Sequence, residues 1–532
     1  MTLGGWQMPV HAQAQAPSPA PTPVQNQVRL PSLGESASED LSVSDERRLG
    51  EQIMNEARRD PQYLDDPVLL EYLQSVFQPL VKAARTLGNI DADTDHVFAW
   101  QPFLVKDPSV NAFALPGGYI GVHLGMIAIT DNADELASVL AHELSHVTQR
   151  HIARSIAPQQ HASMVAIAAM LLGIIAASRS SNFDVANAAI MGGQGAAIQS
   201  QLNYSRGVEQ EADRVGYGVL TAAGYAPSGM AQMFEHLDQA TRLNDNGGFP
   251  YLRTHPLTSE RIAEARNRAL LHPGPPPVPT MMHLLMRARA RVLMADGEQA
   301  LQRLAGGSTS PLRIEQVAAL YGTALARSAL HEGAAADQAA VQALALAETA
   351  PVREPRAEAA LLQLEAEVRL AAANPAGARQ ALDRIPATPG SSDRATLLLR
   401  GQTELALARI SRDTTALRES TAALQIWLAD HPDDAIAWDV VAQSDVALGF
   451  KLRALRAEAE HRAVLGDLPG AIDRLRAAQA ASRGAEGQDF IEASVIDTRL
   501  RQLMARRRAR ELEARGEGRG GRPGDELRFQ LE

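Results

Sequence analysis

The sequence predicts a mainly α protein in two parts: an α+β unit with a small sheet, followed by an all-α array of helical repeats. Three observations carry this. Of 532 residues, 45% are hydrophobic but only 4% aromatic, and the chain is heavy in Ala, Leu and Arg, which favour helix. A chain of this length exceeds what one hydrophobic core holds and divides into domains. A Pro-rich run, "HPGPPPVPT" from His272 to Thr280, separates a stretch with strand-like segments from one that is helix-periodic almost throughout.

Charge and composition exclude several functions. The net charge is −11, with basic residues interspersed among acidic ones, so no field builds that would attract phosphate backbones and nucleic acid is not expected as a partner. Cysteine is absent, which removes thiolate metal sites, disulfides and cysteine nucleophiles together. Any metal must rest on His and carboxylates.

Taken in chain order, residues 1–40 contain "PVHAQAQAPSPAPTPVQ", the small-residue A-x-A pattern of a signal-peptidase site followed by a Pro-rich leader. It reads as the end of an export signal peptide and a disordered leader, and predicts a periplasmic location. A first domain over 41–271 opens with two amphipathic helices, "SVSDERRLGEQIMNEARRD" and "PVLLEYLQSVFQPLVKAART". Val97 to Lys106, Ala112 to Leu115 and Tyr119 to Val122 then read as strands, the last two parted by Pro116-Gly117-Gly118.

The most informative stretch follows. In "TDNADELASVLAHELSHVTQRH", Asn132 and Glu135 form a capping box, and Leu136, Val139, Leu140 and Val147 recur at helical spacing. His142 and His146 therefore project from one face, one turn apart, where two imidazoles can close on one metal ion. Glu143 stands beside them without being a ligand, the H-E-x-x-H arrangement of zinc hydrolases. Two His leave the site one protein ligand short. Candidates for the third are His151, His161, Glu209, Glu211 and His255. "NYSRGVEQEADRVGYGVLTAAGY" is again helix-periodic and sets Glu209 and Asp213 one turn apart, Glu209 as ligand and Asp213 behind it as an acceptor that orients an imidazole.

H-E-x-x-H followed by "SRGVEQEAD" resembles the gluzincin metallopeptidases that include HtpX and the CAAX prenyl endopeptidases. "NAFALPGGYIGVHLGMI" and "RTHPLTSERI" resemble their flanking segments, the latter as in a soluble periplasmic branch that serves outer-membrane β-barrel assembly; the likeness runs from about Leu41 to Arg268. The resemblance implies a gluzincin-type α+β metallopeptidase fold and one Zn2+ per chain held by His142, His146 and Glu209. It further implies Glu143 as general base and His255 near the metal, either in its open position or assisting catalysis. Glu211 is then exposed and no ligand, and His151 and His161 are helix-surface histidines. His123, where relatives often carry another polar residue, is expected to be a satisfied strand histidine.

Between the halves of this site lies "ASMVAIAAMLLGIIAAS", Ala162 to Ser178, too short and too diluted by Ala and Gly for a membrane span. It reads as a helical hairpin over or beside the cleft, with a peripheral membrane contact as the other use for 162–178. After the hinge at 272–280, residues 281–515 read as tetratricopeptide-like repeats: "EVRLAAANPAGARQALDRI" and "EAEHRAVLGDLPGAIDRLRAAQA" align Asn374, Ala378 and Leu382 with Asp467, Ala471 and Leu475. Residues 516–532 read as a disordered tail.

The expectation is a periplasmic zinc endopeptidase in which substrate lies extended along the edge strand at Asn111, Ala112, Phe113 and Ala114. Its substrates would be unfolded or misassembled polypeptide, and its repeats would dock on the outer-membrane β-barrel assembly machinery. The rival is a chaperone or assembly scaffold with a largely latent protease site.

Overall fold

A computed structural model describes residues 41–156, 206–243, 249–307, 310–350, 352–386, 393–483 and 488–519. The leader 1–40, the segment 162–178, His161 and the tail beyond 519 lie outside the described residues.

The first unit opens with α1 (Val43–Ala57), capped by Ser42, whose hydroxyl accepts from the Asp45 amide. After β1 (Tyr63–Leu64), Asp66 caps α2 (Pro67–Thr86) and Pro67 starts it, the residue types that helix N-termini favour. The strand expected to begin at Val97 begins later. Asp91 accepts from the Thr94 amide at 2.7 Å and nucleates a short helix, α3 (Ala92–Val97), so β2 covers Gln101–Val105. β3 (Ala112–Leu115) and β4 (Tyr119–His123) fall where the sequence put them.

The sheet order is β1-β2-β4-β3, with β2 and β4 parallel and β3 antiparallel to β4. β3 is thus an edge. After α4 (Leu124–Ile129) comes the motif helix, α5 (Ala133–Thr148), which is buried along nearly its whole length. Its capping box forms as expected: the Glu135 amide donates to Asn132 at 2.9 Å, and the Asp131 amide to Glu135 Oε2 at 2.9 Å. α6 (His151–Ile156) follows after a break at Arg150, whose φ is +50°. The unit closes with α7 (Arg206–Ala222), α8 (Gly229–Leu243), α9 (Tyr251–Thr254) and α10 (Ser259–Leu271).

The second unit is entirely helical among the described residues. It runs α11 (Met281–Leu293), α12 (Glu298–Ala305), α13 (Arg313–Ala329), α14 (Gly333–Glu348), α15 (Pro355–Ala371), α16 (Pro375–Asp383), α17 (Arg394–Ser411), α18 (Thr415–Asp430), α19 (Ala435–Ala447), α20 (Lys451–Val464), α21 (Leu468–Ala481) and α22 (Gln488–Arg519). The last helix passes the expected limit at 515 by one turn. The two aligned sequence copies share one local geometry. Asn374 and Asp467 each cap the second helix of a pair, accepting from the amides of Gly377 and Gly470, and each follows a residue of positive φ, Ala373 and Gly466.

Residues 272–280 break the secondary structure but not the core. α11 enters the same hydrophobic cluster as α2 and α5, through Leu284, Leu285 and Met286. His283 is fully buried there, accepting or donating at 2.6 Å with the Tyr72 hydroxyl and lying 3.0 Å from the Thr130 carbonyl. Arg289 grips Asp66 with two bonds of 2.7 Å, and Arg394 does the same to Asp65 at 2.7 and 2.8 Å. The repeats are built onto the first unit rather than tethered to it.

Candidate metal centre

The periodicity of α5 puts His142 and His146 one turn apart, and the fold buries both. Their Nε2 atoms lie 3.0 Å from each other. α7 crosses α5 close enough to bring a carboxylate to them because Gly216 has no side chain: a Cβ there would stand 3.1 Å from the Ala141 carbonyl oxygen. Glu209 accordingly reaches 3.4 Å from His142 Nε2 and 3.5 Å from His146 Nε2. His255, on the loop between α9 and α10, brings its Nδ1 to 3.1 Å from Glu209 and 3.3 Å from His142. Ligand atoms of these four buried residues all lie within 4.8 Å of one another.

The groups behind them fix their orientation. His142 Nδ1 donates to Asp213 at 2.9 Å, the part foreseen for Asp213. Arg261 was not foreseen. It holds Asp213 with bonds of 2.7 and 2.8 Å, lies 3.0 Å from Glu209, and donates to the Pro256 carbonyl beside His255 at 2.9 Å. One buried guanidinium thus ties α7, the His255 loop and α10 together.

Two expectations fail. His151 is no surface histidine: it is buried, with its Nδ1 2.8 Å from His146 Nδ1 and its Nε2 3.3 Å from Glu211. The left-handed residue Arg150 turns the chain back on itself there, and Arg150 is pinned by Glu46 at 2.9 Å. Glu211 is correspondingly half-buried between His151 and Arg154, outside the ligand cluster as expected but not exposed. His123 is buried in β4, its Nδ1 2.9 Å from the Ser109 hydroxyl. Tyr251, fully buried and 4.7 Å from His255 between ring centroids, is a further member of the site.

The electrostatics of the cluster favour one positive charge shared among its members. Burial opposes charge on Glu209, yet His255 and His142 outweigh it and hold the carboxyl far below its usual range. Burial likewise opposes charge on His142, but bonds from Asp213 and Glu209 raise it to about 10, while burial and the charge of its neighbours push His146 well below an ordinary histidine. With no metal bound, a proton on His142 supplies the positive charge that the cluster needs; a zinc ion would supply it instead, and N/O donors in a set of three or four suit zinc. Glu143 gives a second sign of fit. It is fully buried, and neither carboxylate oxygen has a hydrogen-bond partner among the described residues. His255 Nε2 lies 3.5 Å from it, and the Ala114 amide on β3 faces the same carboxyl. A buried carboxylate left so is costly unless another group, such as water at the metal, meets it.

A helix that presents His, Glu and His to one buried pocket, completed by a carboxylate from a later helix, is the architecture of zinc metalloendopeptidases, and fold and site place the chain in that class. Comparison with known proteins makes the assignment particular. The chain belongs to peptidase family M48, whose model matches residues 70–269. It is 30% identical to the beta-barrel assembly-enhancing protease of Escherichia coli over 484 residues, 90% of this chain and 92% of that one. The Yersinia pestis protein of the same name is 30% identical over 482 residues, 89% of this chain and 91% of its own. Similarity extends at 28% over 195 residues to the mitochondrial metalloendopeptidase OMA1 of Saccharomyces cerevisiae, 36% of this chain and 53% of that one.

Proposed function

We propose that the protein is a periplasmic endopeptidase for unfolded or misassembled polypeptide, with a chaperone-like part in the quality control and assembly of outer-membrane β-barrel proteins. The observation that carries its catalytic half is the pairing, on one helix, of the His142–His146 donor pair with the buried carboxylate of Glu143, which lies 3.5 Å from His255. One zinc ion held by His142, His146 and Glu209 would supply polarisation of the scissile carbonyl and acidification of a nearby water. Glu143 takes the proton as that water attacks and passes it to the leaving amine. Burial raises the proton affinity of Glu143 despite the pull of His255 and His142, which suits a group that must hold a proton between two steps. Asp213, itself held by Arg261, keeps His142 in the tautomer whose Nε2 faces the cluster.

Substrate lies extended along Asn111 to Ala114, the start of β3 and the residue before it, pairing by backbone hydrogen bonds. Two facts support this: β3 is the edge of the sheet, and the buried Asn111 Oδ1 has no partner among the described residues. For location and role, support comes from the names of relatives that align along nearly the whole chain. The repeats, as a tetratricopeptide-like array, are the element that docks on the assembly machinery. Among the described residues no helix is long and apolar enough to cross a membrane.

A second reading is favoured by one contact. His255 Nδ1 stands inside the donor cluster, so it fills a fourth position and the protein is an assembly scaffold whose protease stays latent until the loop moves. Metal analysis and casein cleavage test the main reading. Glu143→Gln should retain one zinc per chain and lose cleavage by about 10²-fold or more; cleavage at the original rate would place the chemistry elsewhere. His255→Ala should raise cleavage if the loop enforces latency and lower it, with zinc retained, if His255 assists the reaction.

A further inference from the structure

The repeat array contains a cavity of about 410 Å³ between α18, α19, α20 and α22. Asp445 lines it. That side chain is 1% exposed, and neither of its carboxylate oxygens has a hydrogen-bond partner among the described residues. Folded proteins meet nearly every buried acceptor, so an unmet one on a cavity wall indicates a donor supplied from outside.

The neighbouring cations do not serve. Arg456 is paired with Glu492 and lies 5.8 Å from the Trp438 ring centre, and Arg453 lies over Phe450 at 4.9 Å. Burial raises the Asp445 carboxyl to about 6 in spite of both. The two carboxylates and two guanidiniums on the wall balance, which leaves no net field for a charged ligand. Leu428, Val441 and the Trp438 ring supply apolar wall. Outside the cavity, Ile426 and Val495 are exposed, each one helical turn from a lining residue, Ala429 and Glu492 respectively, and on the same helix face.

We propose that this cavity binds an aromatic side chain that bears a hydrogen-bond donor, tyrosine or tryptophan, presented by an extended polypeptide, with its O–H or N–H donated to Asp445. The uncharged balance of the wall excludes Lys, Arg, Asp and Glu as the preferred side chain. The exposed apolar residues beside the cavity are suited to the flanking segment of the same polypeptide. This deepens the reading of the repeats as the docking element and rests on it.

The test is binding of capped peptides Gly-Ser-X-Ser-Gly to the full chain by calorimetry, with X as Tyr, Trp, Phe, Lys or Glu. The Tyr and Trp peptides should bind about tenfold or more tightly than the Phe peptide, the effect of one hydrogen bond to a charged acceptor. Asp445→Leu should erase that preference and raise the melting temperature, because the unmet carboxylate is gone; a purely structural Asp445 would lower it. Val441→Trp, which fills the cavity, should abolish binding of every peptide. Equal binding of Tyr and Phe peptides, preference for Lys or Glu, no saturable binding at all, or a Tyr preference that survives Asp445→Leu would each overturn the proposal. Casein cleavage, read on the same preparations, reports on the metal centre alone, so failure of the protease reading and failure of this one are distinguishable.

Discussion

His283 should make the joint between the two units sensitive to acid. Its ring is fully buried, bonded to the Tyr72 hydroxyl and close to the Thr130 carbonyl. Burial, aided by the nearby Arg287, depresses it to about 4, against the Thr130 carbonyl and the carboxylates of Glu135 and Asp131. The fold therefore prefers the neutral ring. Stability from this group is fully present above the unfolded value near 6.5 and is lost as pH falls from there toward about 4. The gap corresponds to about 3 kcal/mol, at about 1.4 kcal/mol for each tenfold change in proton affinity. That is a large part of a typical net stability of about 5–15 kcal/mol. The assay is urea unfolding at pH 7.5, 6, 5 and 4.5, on the protein and on His283→Gln, whose neutral amide can still accept from Tyr72 and donate to Thr130. Other groups titrate in the same range, so the quantity read is the difference between the two proteins. The variant should lose less stability on acidification, by up to about 3 kcal/mol. Parallel pH profiles would refute the reasoning.

Three further outcomes are expected. Glu209→Gln should fail to hold stoichiometric zinc by mass spectrometry or emission analysis, whereas Glu211→Gln should hold it; the reverse would misplace the ligand by about half a turn of α7. Arg261→Met should weaken zinc affinity about 10- to 100-fold in a chelator competition, with a loss of about 3–5 kcal/mol in unfolding measurements, because Asp213 and Glu209 lose a buried countercharge. A chain ending at Pro279 should aggregate on expression, since it strips Leu284, Leu285 and Met286 from the core at roughly 2 kcal/mol each. A soluble, active fragment of that length would show that the core closes without α11.

The metal helix was legible because its signals are local: a capping box, a helical period and an i, i+4 histidine pair lie within about twenty residues, and backbone geometry alone converts them into one face. Glu209 and Asp213 were legible for the same reason. Arg261 was not, because it reaches Asp213 from 48 residues away, and nothing in "LTSERI" marks that arginine apart from its surface neighbours. A helical period carried past Thr148 puts His151 on the surface, whereas Arg150 breaks that period with a left-handed turn held by the distant Glu46. The composition of the Pro-rich run predicts a hinge, and it does make an extended, exposed segment. Composition cannot say that the helix after it returns to the core it has just left.

The separation of the donors along the chain sets the order in which the enzyme can mature. His142 and His146 alone offer two donors as soon as α5 forms, but Glu209 arrives with a helix more than sixty residues later, and His255 from 113 residues beyond His142. If Glu209 completes the ligand set, tight capture of a cation would wait on long-range closure, which is the slow part of folding. A newly made chain would then have no working blade while its neighbours are still unfolded and vulnerable, and completion of the tertiary structure would be what arms it.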